Sequence, residues 1–451
     1  MEKTKGNVDL LHGPILKSLI VFMIPVAVSN IFQQLYNAVD TAIVGNYLGE
    51  SSLAAIGACA AVFEMMVGFS YSLGTGFSIV CGRSYGSQDE DTMKKSVAGS
   101  IVLGLLTCIV MTVLFLVIMK PLLVLIHTPA EIIDESYSYM FWIEIGLVVM
   151  FTYNLCSAML RAIGNSIMPL VFLIISSLLN IFLDILFITS FHMGVAGAAI
   201  ATVIAQGVSA VLCIIYMVKK TKILIPSRKH FQIDKDLYTD LAGQGFSMAL
   251  MGSIVSIGSI ILQSGINGLG TEIIAGHVSA RKIYAICNLP FISMGMAVAS
   301  FIAQNKGAGQ GKRILKAMHA AYLYDVIAAA LVTLILWPAA PVLVRWISGS
   351  SNPVIVNNGA KMLRIVGPFY AVLGILMQTR FALQGVGSKI MPLFSSVIEL
   401  AGKIIFVWLL IPVFQYDAVV WCEPIIWCFM TAYLLFAFYR NSYVRSIRKE
   451  A

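Results

Sequence analysis

The sequence predicts an all-α polytopic membrane protein, with twelve transmembrane helices in two six-helix bundles related by a pseudo-two-fold axis along the membrane normal. Three observations predict it. Hydrophobic residues are 59% of the 451 residues and charged residues 12%, about half the charged share of a soluble domain. The apolar residues gather into twelve runs, each able to supply the ~20 residues that cross a bilayer. A sequence motif in one half returns in the other, and such internal symmetry marks a repeated bundle.

The first run, Leu16 to Asn46, carries one proline, Pro25, and one carboxylate, Asp40. Its surplus length implies tilt or a bend, and Pro25 supplies the bend because its ring lacks an N–H and crowds the preceding turn. Asp40 costs roughly 3 kcal/mol at a bilayer centre, so something must hold a cation or proton against it. The segment before this run is polar, with no small-residue cleavage site after a short apolar core. The first helix is therefore expected to act as an uncleaved anchor.

The remaining spans begin near residues 52, 95, 136, 166, 194, 240, 273, 314, 360, 389 and 417. The net charge of +8 could suggest nucleic acid. Yet the basic residues fall mostly between the apolar runs, which is a topology signal, and no nucleic-acid partner is expected. Counting alternate segments as inside gives Lys3, Lys5, Lys17, Arg83, Lys94, Lys95, the loop from Lys219 to Lys235, Lys306, Lys312, Arg313, Lys316 and the tail Arg440 to Lys449. The outside keeps little beyond Lys120, Arg345 and Lys361. Positive-inside logic puts both termini in the cytoplasm of a plasma-membrane protein. The expected organisation is an N-terminal bundle over 1–218, a linker over 219–239, a C-terminal bundle over 240–440 and a tail over 441–451.

The repeat is explicit. Leu160-Arg-Ala-Ile-Gly-Asn-Ser-Ile-Met-Pro-Leu170 returns as Leu383-Gln-Gly-Val-Gly-Ser-Lys-Ile-Met-Pro-Leu393, and Leu48-Gly49 and Gly86 return as Leu269-Gly270 and Gly307. The competing reading is chance likeness between two apolar helix–turn–helix segments. Because six is even, both copies keep the same membrane orientation, and two such bundles across a cleft suit alternating access. The eight cysteines form no CxxC pair or His/Cys cluster and read as small buried hydrophobes. The methionines, Met65, Met66, Met248 and Met251 among them, read as packing. The tryptophans are expected to include interfacial belt residues.

Together the twelve spans in two repeats, the stretch Tyr36-Asn-Ala-Val-Asp40-Thr-Ala-Ile-Val-Gly45 and the two Gly-x-x-x-Met-Pro turns resemble the multidrug and toxic compound extrusion (MATE) family. That family lies within the multidrug/oligosaccharidyl-lipid/polysaccharide flippase superfamily. The resemblance implies a secondary transporter that expels small organic compounds, cationic or amphipathic, by antiport against Na⁺ or H⁺. No cofactor is implied beyond that ion, and a monomer is the simplest assembly. Carried over residue by residue, the cation-coupling site falls on Asp40, Asn180, Asp184 and Thr202, with Pro25 as the hinge of the first helix. The types suit the task. Asn180 and Asp184 are four apart and share a helix face. Carboxylate, amide and hydroxyl oxygens are hard ligands suited to Na⁺, while two adjacent carboxyls disfavour ionising together and could equally carry a proton.

By the repeat, Asp40 maps onto Ile261, Asn180 onto Lys403 and Asp184 onto Val407, so the second half lacks this site. It also lacks acids within its seventh and tenth helices, which points to the DinF-like branch. The intramembrane charges are asymmetric: Asp40, Glu64, Glu144 and Asp184 in the first half, and Arg281, Lys282, Arg364, Arg380 and Lys403 with Glu399 and Glu423 in the second. A substrate cleft is expected on Gln34, Tyr36, Asn37, Glu64, Arg281, Lys282, Gln378 and Arg380, because buried charges face watery cavities. The plainer reading of Glu399 and Lys403, four apart, is an internal pair, and Lys361 and Arg364 can lie at the outer interface. An intramembrane enzyme lacks support, since there is no HExxH, GxSxG, DxD-like pair or P-loop. A flippase of lipid-linked oligosaccharides or other anionic substrates shares the expected fold and would explain a basic cleft.

Overall fold

The computed structural model describes residues 7–449, so Lys3 and Lys5 of the inside count lie outside the described residues. Twelve of its helices are long and apolar enough to span a membrane. They are α1 (Ile15–Leu48), α2 (Glu50–Gly86), α3 (Glu90–Leu125), α4 (Ile133–Ala162), α5 (Ile167–Ser190), α6 (Gly194–Lys220), α7 (Lys235–Asn267), α8 (Thr271–Gly307), α9 (Gly311–Ser348), α10 (Pro353–Gly385), α11 (Ile390–Phe414) and α12 (Tyr416–Arg440). The largest shift from expectation is α10, expected near 360. Asn352 caps Val354 N–H at 2.9 Å and Pro353 follows at the first helical position, a polar start that hydropathy alone does not register.

The chain forms two compact units. The first holds residues 7–8 and Val28–Ala249, the second Asp9–Ala27 and residues 250–449. These are not the halves expected from the sequence, and local packing explains why. At the start of α7, Asp240 pairs with Arg83 at 2.7 Å and the Gln244 carbonyl lies 2.6 Å from where a Gly76 Cβ would stand. That backbone contact keeps residues 240–249 with α2. Leu10, 1% exposed, has its carbonyl held by Asn305 Nδ2 at 3.0 Å, and Arg313 Nη2 donates to the Gly13 carbonyl at 2.9 Å. Those bonds keep the approach to α1 with α8 and α9. The second boundary, Ala27 to Val28, falls two residues after Pro25.

Within each unit the same pairs of helices pack. In the first, α4 lies against α2, α3 and α6, with α5 on α6; in the second, α10 lies against α8, α9 and α12, with α11 on α12. The turns repeat as well. Positive φ occurs at Gly49 and Gly270, Gln88 and Gly309, His127 and Gly349, Gly164 and Gly387, and His192 and Gln415. Only glycine enters this region freely, and the pairing of non-glycine residues with glycines shows the turn geometry kept where the side chain was not. Both α5 and α11 also contain a single π turn, Leu186–Ser190 at the end of α5 and Phe406–Leu410 one α-helical turn before the end of α11, a distortion frequent at functional sites.

The expected linker is shorter and more ordered than a polar loop. It carries two 3₁₀ turns, Lys222–Leu224 and Arg228–Phe231, and buries Thr221, Leu224 and His230. The expected tail forms a helix, α13 (Ser442–Lys449), which buries Val444 and Ile447 and packs on α9 and α12. Trp142, Trp337, Trp346, Trp408 and Trp421 are exposed, as lipid-facing or belt residues are, but Trp427 is buried in a ring stack.

Candidate functional site

In the first unit three helices bring polar side chains together inside apolar surroundings. On α1, Tyr36 and Asp40 are one turn apart; on α5, Asn180 and Asp184 repeat that spacing, so each pair shares a face. The fifth member, Thr202, comes from α6. Tyr36 donates its hydroxyl to Thr202 Oγ1 at 3.2 Å. With its amide nitrogen turned to the acid, Asn180 donates to Asp184 Oδ2 at 2.9 Å, and its oxygen accepts the Thr202 backbone N–H at 3.3 Å. The opposite amide orientation offers only two contacts of 3.4 Å. The first is adopted because it satisfies both ends of the amide.

The carboxyls of Asp40 and Asp184 stand within hydrogen-bond reach of each other. Asn180 and Asp184 are wholly buried, Thr202 is 4% exposed, and Asp40 Oδ1 is inaccessible and lacks a partner. A turn further on, Ile43, Val44, Ile188 and Ala198 form a small apolar cluster on the same three helices. Two acids facing each other, with no ion pair to Lys, Arg or His among the described residues, cannot both be charged at small cost. The site can hold one added positive charge, as a proton shared between carboxyls or as a hard cation among oxygens.

The other expected site residues divide. Pro25 lies within α1 and is half-buried. Gln34 and Asn37 are exposed on α1, and Glu64 is exposed on α2, outside the cluster. Tyr36, expected in the substrate cleft, stands instead in the polar cluster through its bond to Thr202. In the second unit Lys282 is exposed, whereas Arg281 pairs with Glu423 through Nη1, at 2.8 and 2.9 Å from the two oxygens. Gln378 is wholly buried and donates to Asp325 Oδ1 at 3.0 Å. Arg380, 4% exposed, donates Nε–H to Ser395 at 3.1 Å, and Glu399 and Lys403 form the internal pair at 2.8 Å. Lys361 pairs with Asp417, and Arg364 donates to the Trp337 carbonyl at 3.0 Å.

Sequence reasoning missed Asp325. It sits in an apolar run, Ala320-Ala-Tyr-Leu-Tyr-Asp-Val-Ile-Ala328, the same signal that singled out Asp40.

The MatE family model matches the chain twice, over residues 25–186 and 247–409, once in each half. Among curated proteins, the "Probable multidrug resistance protein YpnP" of Bacillus subtilis is 27% identical over 380 residues, covering 84% of this chain and 83% of its own length. The "Probable multidrug resistance protein YoeA" of the same organism is 28% identical over 327 residues, or 71% of each chain. Among solved structures, one of a MATE protein in complex with MaL6 superposes with a TM-score of 0.89 at 23% identity, covering 99% of this chain and all of that one. One of a MATE protein in the bent conformation gives 0.89 at 24% identity, covering all of this chain and 99% of that one. These structural likenesses concern the fold.

Proposed function

The chain belongs to the MatE family, and from that premise we propose that it is a secondary multidrug efflux transporter, a carrier rather than an enzyme, which exports small organic compounds in exchange for inward Na⁺ or H⁺. The relatives named as multidrug resistance proteins support the export of organic compounds. The observation that carries the coupling is the cluster in the first unit in which half-buried Asp40 and Tyr36 meet buried Asn180, Asp184 and Thr202, two acids with no ion pair to a basic side chain among the described residues.

The mechanism follows from what the residues can hold. Asp40 and Asp184 take up one positive charge from outside, which removes the cost of two facing carboxylates in an apolar setting. All the candidate ligand atoms are oxygens, so the set fits a hard cation such as Na⁺, and the facing carboxyls fit a proton equally. Asp40 sits on the same helix as Pro25, whose missing N–H leaves a weak point in the backbone ladder. A change of charge at Asp40 therefore acts on a helix already able to bend, and substrate leaves when the loaded state binds it less well. Coupling needs that differential affinity and nothing more. The basic segments between spans support cytoplasmic termini in a plasma membrane. Cationic or amphipathic compounds are the expected cargo of a monomer.

The test is ethidium efflux from membrane vesicles with Na⁺ and pH gradients imposed one at a time. Asp40→Asn removes the charge with little change of volume. Gradient-driven export is expected to fall at least tenfold while the protein keeps its thermal midpoint, and the gradient that drives the wild type names the ion. Wild-type export by Asp40→Asn would sink the coupling site.

A further inference from the structure

The position that the repeat makes equivalent to Asn180 is Lys403, so where the first unit leaves room for a mobile positive charge the second has a covalent one. Lys403 is 2% exposed, bonded to Glu399 at 2.8 Å and to Ser259 at 3.4 Å. Around it the second unit assembles Arg281 from α8, Arg380 from α10, Glu399 from α11 and Glu423 from α12. Three cations face two carboxylates. Asp325, the other buried acid of this unit, does not balance the group, since it is engaged with Gln378 and forms no ion pair among the described residues.

The donors are not used up. Arg380 Nη2 is buried without a hydrogen-bond partner and lies 3.9 Å from the Glu399 carboxylate, too far for a bond. Arg281 serves both oxygens of Glu423 from a single nitrogen and keeps its side chain 35% exposed. A guanidinium presents its nitrogens as a planar fork, and an unused edge is shaped for a carboxylate. An unmet donor and a surplus positive charge inside a membrane domain both cost free energy that one oxyanion would remove.

A second feature points to what carries the anion. Phe291, Tyr370, Tyr284 and Trp427 form a ladder of near-parallel rings with centroids 5.6, 5.9 and 6.2 Å apart, and the Arg281 guanidinium lies 4.6 Å from the Tyr284 ring centre. Tyr284 is only half-buried. The half-buried edge of Tyr284 beside the Arg281 guanidinium suits an apolar or aromatic body with an acidic end, and the buried rings behind Tyr284 hold that edge in place.

We propose that the second unit holds an oxyanion site on Arg281, Arg380 and Lys403, which takes the carboxylate of an amphiphilic organic substrate against the aromatic ladder. The proposal rests on the efflux reading and extends its cargo to organic acids and zwitterions. The second half then keeps a binding role after losing the residues of the coupling site.

The full-length protein, purified in detergent and reconstituted in liposomes, tests it with 1-naphthoate and its uncharged analogue 1-naphthamide. Wild-type protein is expected to bind naphthoate, read as a rise in thermal midpoint and a change in tryptophan fluorescence, and to ignore the amide. Arg380→Gln and the half-exposed Arg281→Gln should each weaken naphthoate by about tenfold or more, the loss expected of one hydrogen bond to a charged group. Equal binding of acid and amide would show a merely apolar pocket and overturn the site, as would naphthoate binding that is unchanged in both variants. Ethidium export from the same liposomes keeps the two readings apart. Export without naphthoate binding overturns the oxyanion site alone, and naphthoate binding without export supports the site and sinks the efflux reading.

Discussion

Asp40 and Asp325 are both carboxylates set in apolar helices, and their surroundings assign them different tasks. Asp40 is half-buried beside a second acid, whereas Asp325 is wholly buried, held by Gln378 at 3.0 Å, with its other oxygen unpartnered. The α10 backbone closes over Asp325, since a Cβ at Gly374 would lie 2.6 Å from its Cγ. A charge there meets no cation among the described residues and is answered only by the Gln378 N–H, so Asp325 serves as the hydrogen-bonding partner of Gln378. Asp325→Asn is therefore expected to stay within about 1 kcal/mol of wild-type stability and to keep ethidium export. Asp325→Leu leaves the buried Gln378 amide with only its 3.3 Å bond to the Phe291 carbonyl, and one unmet N–H should cost about 1–3 kcal/mol. Thermal unfolding in detergent measures both. Loss of export by a well-folded Asp325→Asn would instead give this acid an ionising role.

At the scale of elements, local chemistry decides where helices start, and hydropathy decides only that they exist. The start of α3 shows this. Hydropathy put it near 95, but the helix begins at Glu90 because Asp89 caps it, accepting the Thr92 N–H at 3.0 Å and the Thr92 hydroxyl at 2.6 Å. These bonds hold the Asp89 carboxyl below the usual carboxylate range, the side-chain bond to Thr92 contributing most. A group with a depressed folded value stabilises above its unfolded value, near 3.9, and loses that contribution as pH falls through the folded value. Asp89→Ala should cost about 1 kcal/mol at pH 7, and Asp89→Asn, which still caps, a few tenths at most. Hydrogen exchange in the first turn of α3 reads the difference, which should shrink in acid. The sequence also carried the grouping of Asn180 with Asp184, a matter of spacing on one helix. Their meeting with Asp40 and Thr202 was legible only through family resemblance, because contacts between helices leave no periodic trace. The π turns Leu186–Ser190 and Phe406–Leu410 had no legible signal either, since they depend on the fit of α5 against α6 and of α11 against α12.

At the scale of the molecule, the chain changes unit three times, after Val8, Ala27 and Ala249. A sequence repeat predicts one change, in the linker, because it registers ancestry of segments and not which neighbours they bury against. The N-terminal segment is the clearest departure. Val8 N–H donates to the Gly164 carbonyl at 2.9 Å, within the first unit. Two residues later Leu10 is buried in the second, where Asn305 bonds its carbonyl and Arg313 reaches Gly13. Arg313 also steadies Asn305, donating Nε–H to its Oδ1 at 3.1 Å. Arg313→Ala should thus loosen residues 9–13 by about 1–3 kcal/mol, since it removes a charged donor from backbone carbonyls that have few substitutes. The tie from Val8 to Gly164 uses none of these atoms and should keep its protection. Hydrogen exchange followed by mass spectrometry separates the two, because the segments fall on either side of a single peptide bond but report on different partners. If residues 9–13 stay protected in Arg313→Ala, burial of Leu10 holds them and not the hydrogen bonds. Leu10→Ala, expected to cost about 2–5 kcal/mol when a buried leucine is truncated, would then release the same residues.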